Sequence, residues 1–380
     1  MKNKLLILGT RGIPAEHGGF ETFAQRLALY LTKQNWEVTV YCQTAEPNLP
    51  SKNWQGIKLV YISTLKNKAL GSILFDFKST LHAATKGDGI ILTLGYNTAI
   101  FSILYRLNGK FNIINMDGLE WQRQKWNAFE KAWLYLNERI GAKVGNRLVA
   151  DHPEIKNYLS RRVCADKIVM IPYGAAPISQ SDASLLEPYS LTSQSYALII
   201  ARPEPENSIW EIVSAFSAQK RGYQLVVLGK YFPRNAYHRQ VLQAASEEVV
   251  FLGAIYDPQT VHALRVHTRL YIHGHTVGGT NPSLVEALAA GSPVLARDNA
   301  FNHWVAGDKA HYFSDEAQCL SKLNELLENT EELEKMRKES KNRYKQAFAE
   351  DKDLKAYEKL LISDFLDSPQ KSLSYPEWKS

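Results

Sequence analysis

His273-Gly-His-Thr-Val-Gly-Gly-Thr-Asn-Pro-Ser-Leu-Val-Glu-Ala-Leu-Ala-Ala-Gly-Ser-Pro-Val-Leu-Ala296 is the stretch whose reading decides the fold. It reads as a glycine-rich loop, a helix, a glycine stop and a strand. Asn281 is placed to cap the helix, and Pro282 suits its first turn, where a missing N–H costs nothing. Ala287, Leu288, Ala289 and Ala290 are good helix formers, and Gly291 ends the run before a strand over Pro293–Ala296. The backbone N–H groups of Gly278, Gly279, Thr280 and the first helical turn are then expected to face open space with partial positive charge, a setting suited to phosphate. Glu286, one turn further in, would bring a carboxylate within reach of whatever the phosphate is attached to, a ribose diol above all. The plainer alternative is an ordinary capped helix with Glu286 on a solvated face.

Outward from this stretch, strand and helix alternate in two blocks. Leu5–Leu8 is wholly apolar, as a buried parallel strand should be. It enters Gly9-Thr-Arg-Gly-Ile-Pro-Ala-Glu-His-Gly-Gly-Phe-Glu-Thr-Phe23, then a helix with Phe23, Leu27, Tyr30 and Leu31 at helical spacing, then a strand at Val38–Tyr41. This is a doubly wound α/β beginning. The glycines do not follow Gly-x-Gly-x-x-Gly, and the second strand ends in Cys42-Gln43 without the acidic residue that holds an NAD ribose, which disfavours a dehydrogenase. Further strands are read at Gly89–Leu94 and Phe111–Met116. They lead into Gly95-Tyr96-Asn97 and Asp117-Gly-Leu-Glu120-Trp121, loops at carboxyl ends of strands, where ligands of open α/β sheets gather. Asp117 could orient or help deprotonate a hydroxyl, or could simply cap the helix that follows.

In that next helix Trp126, Phe129, Trp133, Leu136 and Ile140 form one apolar stripe with Lys125, Lys131, Arg139 and Lys143 as neighbours. The stripe reads either as core-facing with a basic rim, the plainer choice, or as a basic aromatic face for a membrane interface. Ala175–Ser195, polar and aperiodic, reads as a linker. Beyond it strands are expected at Tyr196–Ile200, Gln224–Leu228 and Val249–Leu252, with helices over Ile209–Phe216 and Tyr237–Ala245. Arg202 and Gly229-Lys230 stand at two carboxyl ends, where cations can converge on a diphosphate. The domains are therefore drawn as 1–175 and 196–350, with a helix over 351–366 crossing back to the first and a loosely ordered tail at Ser368–Ser380.

Composition bounds the function. The chain has 380 residues, enough for two domains with their own cores, at 45% hydrophobic and 22% charged. Its three cysteines (Cys42, Cys164, Cys319) lack metal-ligand spacing and suit a reducing cytoplasm. The start Met1-Lys-Asn-Lys-Leu-Leu-Ile-Leu-Gly resembles an export signal, but its apolar run is short and enters a glycine loop, so it is read as a strand. Ile90–Tyr105 is interrupted by Thr93, Asn97, Thr98 and Ser102, and a spanning helix is not expected. Residues 1–180 carry 23 Lys and Arg against 13 Asp and Glu, a net of +10, and the remainder 22 against 26, a net of −4. A basic first half points to an anionic partner, and an anionic membrane surface or phosphorylated lipid is favoured over nucleic acid, for which no zinc-finger, RRM or KH signature is found.

The loop followed by Pro282-Ser-Leu-Val-Glu-Ala-Leu-Ala-Ala-Gly-Ser-Pro-Val294 resembles the donor-binding segment of the retaining, GT-B-fold glycosyltransferases of family four. Gly18-Gly19 followed by Glu21 resembles the Gly-Gly-x-Glu loop of the same family. The longer stretch from Gly9 to Phe23 is similar to the subgroup of bacterial rhamnosyltransferases of surface-polysaccharide assembly. The resemblance implies two Rossmann-like doubly wound domains facing a cleft. It implies donor binding by Gly18, Gly19, Arg202, Lys230, Leu252, His273, Gly278, Gly279, Thr280, Asn281 and Glu286, with Glu286 on the ribose. The acceptor falls to Tyr96, Asn97, Asp117, Glu120 and Trp121, and Asp117, Arg202 and Lys230 are the catalytic candidates. Two positions depart from the family. Gly278 stands where a Glu usually touches the donor sugar, leaving that contact to backbone, His273 or His275, and Asn207 stands where a Lys usually joins Arg202. No cofactor or metal is implied, since Asp351-Lys-Asp353 reads as helix-start charge; a nucleoside diphosphate sugar enters as co-substrate.

The function expected is thus transfer of a sugar, with L-rhamnose from dTDP-L-rhamnose favoured, to a lipid-linked saccharide at the cytoplasmic face of the plasma membrane. The alternatives are another donor such as a UDP-hexose, a nucleotide-sugar epimerase, and a non-catalytic nucleotide-sugar-binding module.

Overall fold

The computed structural model describes residues 3–15, 18–47, 49–64, 68–178 and 181–367, and these divide into two units. Unit 1 comprises Met1–Asp117, Ala128–Ile171 and Asp353–Ser380; unit 2 comprises Gly118–Asn127 and Pro172–Lys352. The expected tail at 368–380 lies outside the described residues.

In unit 1 the elements run β1 Lys4–Leu8, α1 Gly19–Lys33, β2 Glu37–Thr44, β3 Lys52–Trp54, β4 Ile57–Ser63, α2 Lys68–Lys86, β5 Ile90–Leu94, a 3-10 turn Ala99–Ser102 continuing into α3 Ile103–Leu107, β6 Asn112–Asn115, α4 Ala128–Val144, β7 Arg147–Ala150, α5 Pro153–Ser160 and β8 Ile168–Met170. The sheet order is β3-β4-β2-β1-β5-β6-β7-β8, parallel throughout except the β3–β4 pair. Because β1 connects leftward to β2 while the chain later moves rightward from β5 to β8, the right-handed rule puts α1 on one face and α2 to α5 on the other. The winding reverses at β1 and β5. There Gly9 turns with φ +83°, and a Cβ on it would lie 2.1 Å from the Leu94 carbonyl oxygen, so only glycine fits.

Unit 2 contains β9 Tyr196–Ile200, α6 Ile209–Ser217, β10 Gln224–Leu228, α7 Ala236–Ala244, β11 Val249–Gly253, α8 Pro258–His267, β12 Leu270–His273, α9 Pro282–Ala290, β13 Val294–Arg297, α10 Ala300–Ala306, β14 His311–Phe313, α11 Glu316–Leu326 and α12 Thr330–Ala347. Its sheet, β11-β10-β9-β12-β13-β14, is entirely parallel. Both faces are covered, which explains the uninterrupted apolar runs of its strands: Leu198, Val226, Tyr271 and Ala296 enter one core cluster, Ile199, Val227, Ile272 and Leu295 the other.

Last comes α13 Glu350–Asp367, which returns to unit 1 from Asp353 onward. There the Tyr357 ring packs on Phe23, and its hydroxyl accepts a hydrogen bond from Asn115 Nδ2 at 2.8 Å.

Two expectations are corrected, and a third gains a partner. Ala175–Ser195 is not a bare linker: it carries a 3-10 helix, Ala183–Tyr189, and buries Ile178, Leu186 and Leu191 in the unit 2 core. Asp353 stands in the first turn of α13, as expected of a helix-start charge. It is buried and pairs with Arg26 at 3.4 Å. The stripe of α4 does not face the core; Leu134, Asn137, Glu138, Gly141 and Ala142 do, while Phe129, Trp133 and Leu136 point outward. Gly141, packed against Ala99, and Asn137, accepting from the Ile100 N–H, draw the small and polar side of the helix inward.

Tyr357→Phe removes the acceptor of a buried amide N–H and should lower the stability of unit 1 by about 1–3 kcal/mol, read as a denaturation midpoint. An unchanged midpoint would show that this contact contributes nothing.

Candidate functional site

In the sheet of unit 2 the strand order turns around at β9 and β12, the position where open parallel sheets bind ligands. The chain arrives there with a built helix start. Asn281 is extended (φ −75°, ψ 118°) and its Oδ1 accepts the Ser283 N–H at 3.0 Å, a cap that stabilises by about 1 kcal/mol. Ser283 Oγ donates to the Ile200 carbonyl at 3.2 Å and pairs with the Tyr271 hydroxyl at 2.7 Å. The first turn of α9 is thereby fastened to the ends of both strands at the reversal. At the other end Gly291 adopts the left-handed conformation (φ 71°) that closes the helix. Gly278 has φ +151° and open space where a Cβ would stand, so the residue in place of the family's Glu is held in a glycine conformation.

Glu286 forms an ion pair with Arg265 of α8. The Arg265 side chain is 4% exposed and that of Glu286 38% exposed, so a buried guanidinium fixes one side of a carboxylate that still reaches solvent. The Arg265 Nε has no hydrogen-bond partner among the described residues. Neither the spacing nor the composition pointed to Arg265, because it lies on another helix 21 positions earlier.

Arg202 is exposed directly after β9, and Lys230 directly after β10 with its ammonium 5.6 Å from the Phe232 ring centre. Asn207, in place of the family's Lys, is buried and donates from Nδ2 to the Arg202 carbonyl at 2.8 Å. It shapes the loop instead of adding a charge. Leu252 is half-buried in β11.

His273 lies at the end of β12, beneath the surface. It is 1% exposed, its ring lying between those of Tyr271 and His275, the latter stacked at 4.2 Å and 7°. Burial lowers its pKa to about 3. His275 is also held well below the ordinary range, by burial first and then by His273, Arg123 and Arg202. Both rings are therefore neutral at pH 7. Because their folded pKa values lie below the unfolded value, this neutrality favours folding above about pH 6.5 and the advantage is lost as pH falls from there.

The segment 118–127 follows β6 in the chain but groups with unit 2. A Cβ on Gly118 would sit 3.1 Å from the Gly278 backbone, so the two glycine segments touch. Glu120 pairs with Arg123, with Lys125 at 2.8 Å, and accepts from Trp126 Nε1 at 3.1 Å. Burial acts to raise its pKa, but the Arg123 and Lys125 charges outweigh that and leave it lowered. Arg123 also reaches Glu206 at 3.7 Å, a buried carboxylate whose oxygens accept no hydrogen bond from the described residues. Glu120 is thus committed to an internal charge cluster. Trp121 is half-buried in the same turn.

Gly18, Gly19, Tyr96, Asn97 and Asp117 stand on unit 1. Gly18 precedes α1 and its carbonyl accepts the Thr22 N–H at 3.1 Å. Tyr96 is buried, at 1% exposure. Asn97 is exposed, with its carbonyl accepting from Trp133 Nε1 at 2.8 Å. Asp117 has φ +48°, a left-handed conformation uncommon outside glycine that Asp and Asn adopt more readily than other residues. The Glu120–Gln122 turn that follows has Leu119 at its N-cap position, and α4 starts at Ala128, eleven residues on.

Two family models match the chain. Residues 2–176 match one described as "Domain of unknown function (DUF1972)", and residues 207–357 match one described as "Glycosyl transferase-like". No curated protein sequence matches the chain. Among solved structures, sucrose-phosphate synthase from Thermosynechococcus elongatus is similar with a TM-score of 0.83 and 16% identity over 97% of this chain and 100% of that one. A glycosyltransferase from Rickettsia africae ESF-5 is similar at TM-score 0.71 and 16% identity, over 95% and 98%. The Anabaena protein HepE in complex with UDP-glucose is similar at TM-score 0.74 and 12% identity, over 95% and 99%. The chain has the GT-B fold of two Rossmann-like domains, and residues 207–357 are similar to the glycosyl transferase-like family.

Glu286→Ala should destabilise unit 2 by about 1–3 kcal/mol, because it strands a buried guanidinium, while adding Arg265→Met should recover most of the loss. Strictly additive losses in the double variant would mean that the pair is not coupled.

Proposed function

We propose that the chain is a retaining glycosyltransferase that moves a sugar from a nucleoside diphosphate carrier to a lipid-linked saccharide, with dTDP-L-rhamnose as the favoured donor. The observation that carries the reading is the Asn281-capped start of α9 at the sheet's reversal point, with Glu286 one turn in and Arg202 and Lys230 on the two neighbouring strand ends. The glycosyl transferase-like match over residues 207–357 supports the reaction class. The HepE complexes with UDP and UDP-glucose support a nucleotide-sugar donor in this fold, and they also keep a UDP-hexose as second reading of the donor.

In this reading the Gly278–Asn281 backbone and the Arg202 and Lys230 cations hold the diphosphate, and Glu286, oriented by Arg265, accepts from the ribose hydroxyls. The bond between the sugar's anomeric carbon and the phosphate oxygen breaks. A new bond forms on the same face to an acceptor hydroxyl, whose proton passes to the departing diphosphate. Charge growing on that diphosphate is stabilised by donors and cations already in place, which is where the rate enhancement would arise. Asp117, in its left-handed turn on unit 1, is assigned to orient the acceptor hydroxyl. The neutral His273–His275 stack adds no charge, which leaves recognition of the anion to Arg202, Lys230 and backbone N–H groups. The product belongs to cell-surface polysaccharide synthesis, made at the cytoplasmic face of the membrane.

A thermal-shift screen over dTDP- and UDP-sugars, followed by transfer assays with the best ligand, tests this. Arg202→Ala with Lys230→Ala should reduce turnover by at least about a hundred-fold, and Glu286→Gln should weaken nucleotide binding by about ten-fold. Near-normal turnover and affinity in both variants would remove these residues from the site. Donor conversion without an acceptor would identify an epimerase, and binding with neither transfer nor hydrolysis a non-catalytic module.

A further inference from the structure

Three helices on one face of the unit 1 sheet leave apolar residues uncovered in a pattern too regular for scattered surface hydrophobes. In α2, Leu70, Ile73, Phe77 and Leu81 are exposed, spaced by three, four and four residues, and so form one stripe. In α4, Phe129, Trp133 and Leu136 do the same, with Phe129 89% exposed. In α3, Ile103 and the 75% exposed Leu107 are one turn apart. The stripes adjoin. Phe77 meets Phe101, from the turn leading into α3, edge to face at 5.3 Å, and Trp133 is tied to Asn97 just before that turn.

Charge says what covers this face. Lys78 beside Phe77, Arg106 beside Leu107, and Arg139 and Lys143 three and seven positions after Leu136 are all exposed next to the stripes. Along the three helices Glu130 is the sole exposed acidic residue among those described: Glu138 is buried and Asp76 is half-buried, accepting from Thr98 at 2.8 Å. A second copy of the chain would bring like charges together around the rim. An anionic lipid surface satisfies both features, taking the aromatic and aliphatic side chains between headgroups while the cations meet phosphates. Among the described residues no helix is long and apolar enough to cross a membrane, so the contact would be lateral.

We propose that the outward stripes of α2, α3 and α4, rimmed by Lys78, Arg106, Arg139 and Lys143, dock unit 1 on an anionic phospholipid surface. This deepens the lipid-linked acceptor reading and rests on it for biological purpose, but its test reads binding and not transfer. Vesicles with a third of their lipid as phosphatidylglycerol, in a phosphatidylcholine background, are co-sedimented with the full chain at low salt. The protein should bind these and leave pure phosphatidylcholine largely free. Leu107→Ser with Phe129→Ser and Leu136→Ser touches exposed side chains, so the melting curve should be preserved while vesicle affinity falls by at least about ten-fold. Arg139→Ser with Lys143→Ser should likewise lower affinity by at least about ten-fold, and added salt should weaken the unaltered chain in the same direction. The proposal is overturned if the unaltered chain stays in the supernatant, if the apolar variant binds equally well, or if sedimentation equilibrium shows a dimer that Phe129→Ser dissolves. Nucleotide-sugar thermal shifts on the same variants report the donor reading separately, so failure of either is visible on its own.

Discussion

The hydrogen-bonded start of α9 is the constraint on which the candidate site depends. Asn281 holds the Ser283 N–H, and Ser283 in turn joins Tyr271 in β12 to the Ile200 carbonyl at the end of β9. These contacts fix a helix dipole at the place where the sheet reverses its winding. The loop before it needs glycine conformations, and Gly118 presses against that loop closely enough that added side-chain atoms would force a shift. Everything assigned to the diphosphate follows from this backbone placement, because dipoles aimed in advance require no reorganisation when charge develops.

The charges around this loop fall into two sorts. Glu120, Arg123, Lys125 and Glu206 neutralise one another locally and hold the 118–127 segment in shape. Arg202 and Lys230 remain exposed at strand ends. Glu286 bridges the two sorts, tied to the buried Arg265 on one side and open to solvent on the other. A carboxylate held this way has lost much of its rotamer freedom before any ligand arrives, which would lower the entropic cost of the ribose contact proposed for it.

Much of the fold was legible because parallel strands buried on both faces have no choice but to be continuously apolar, as at Leu5–Leu8 and Tyr196–Ile200, and because Asn281-Pro282 and Gly291 punctuate a helix locally. What stayed hidden depended on packing at a distance. Arg265 became visible as the partner of Glu286 only once α8 and α9 were adjacent. Tyr96 and His273 carry polar groups at strand ends, where the sequence cannot say whether a ring faces solvent or core. The direction of α4 stays open in the sequence because its inward side is made of Gly141, Ala142, Asn137 and Glu138, small or polar residues that close packing and hydrogen bonds accommodate. Hydrophobic periodicity identified the stripe correctly but not the side on which the protein lies.

Hydrogen–deuterium exchange of the chain with and without saturating dTDP or UDP tests the central claim most directly. Amides of Gly278–Ser283, together with those of Gly229 and Lys230, should become protected by the nucleotide while the Gly9–Gly12 turn of unit 1 changes less. Protection confined to unit 1, or absent from the Gly278–Ser283 segment while nucleotide is bound, would contradict the account.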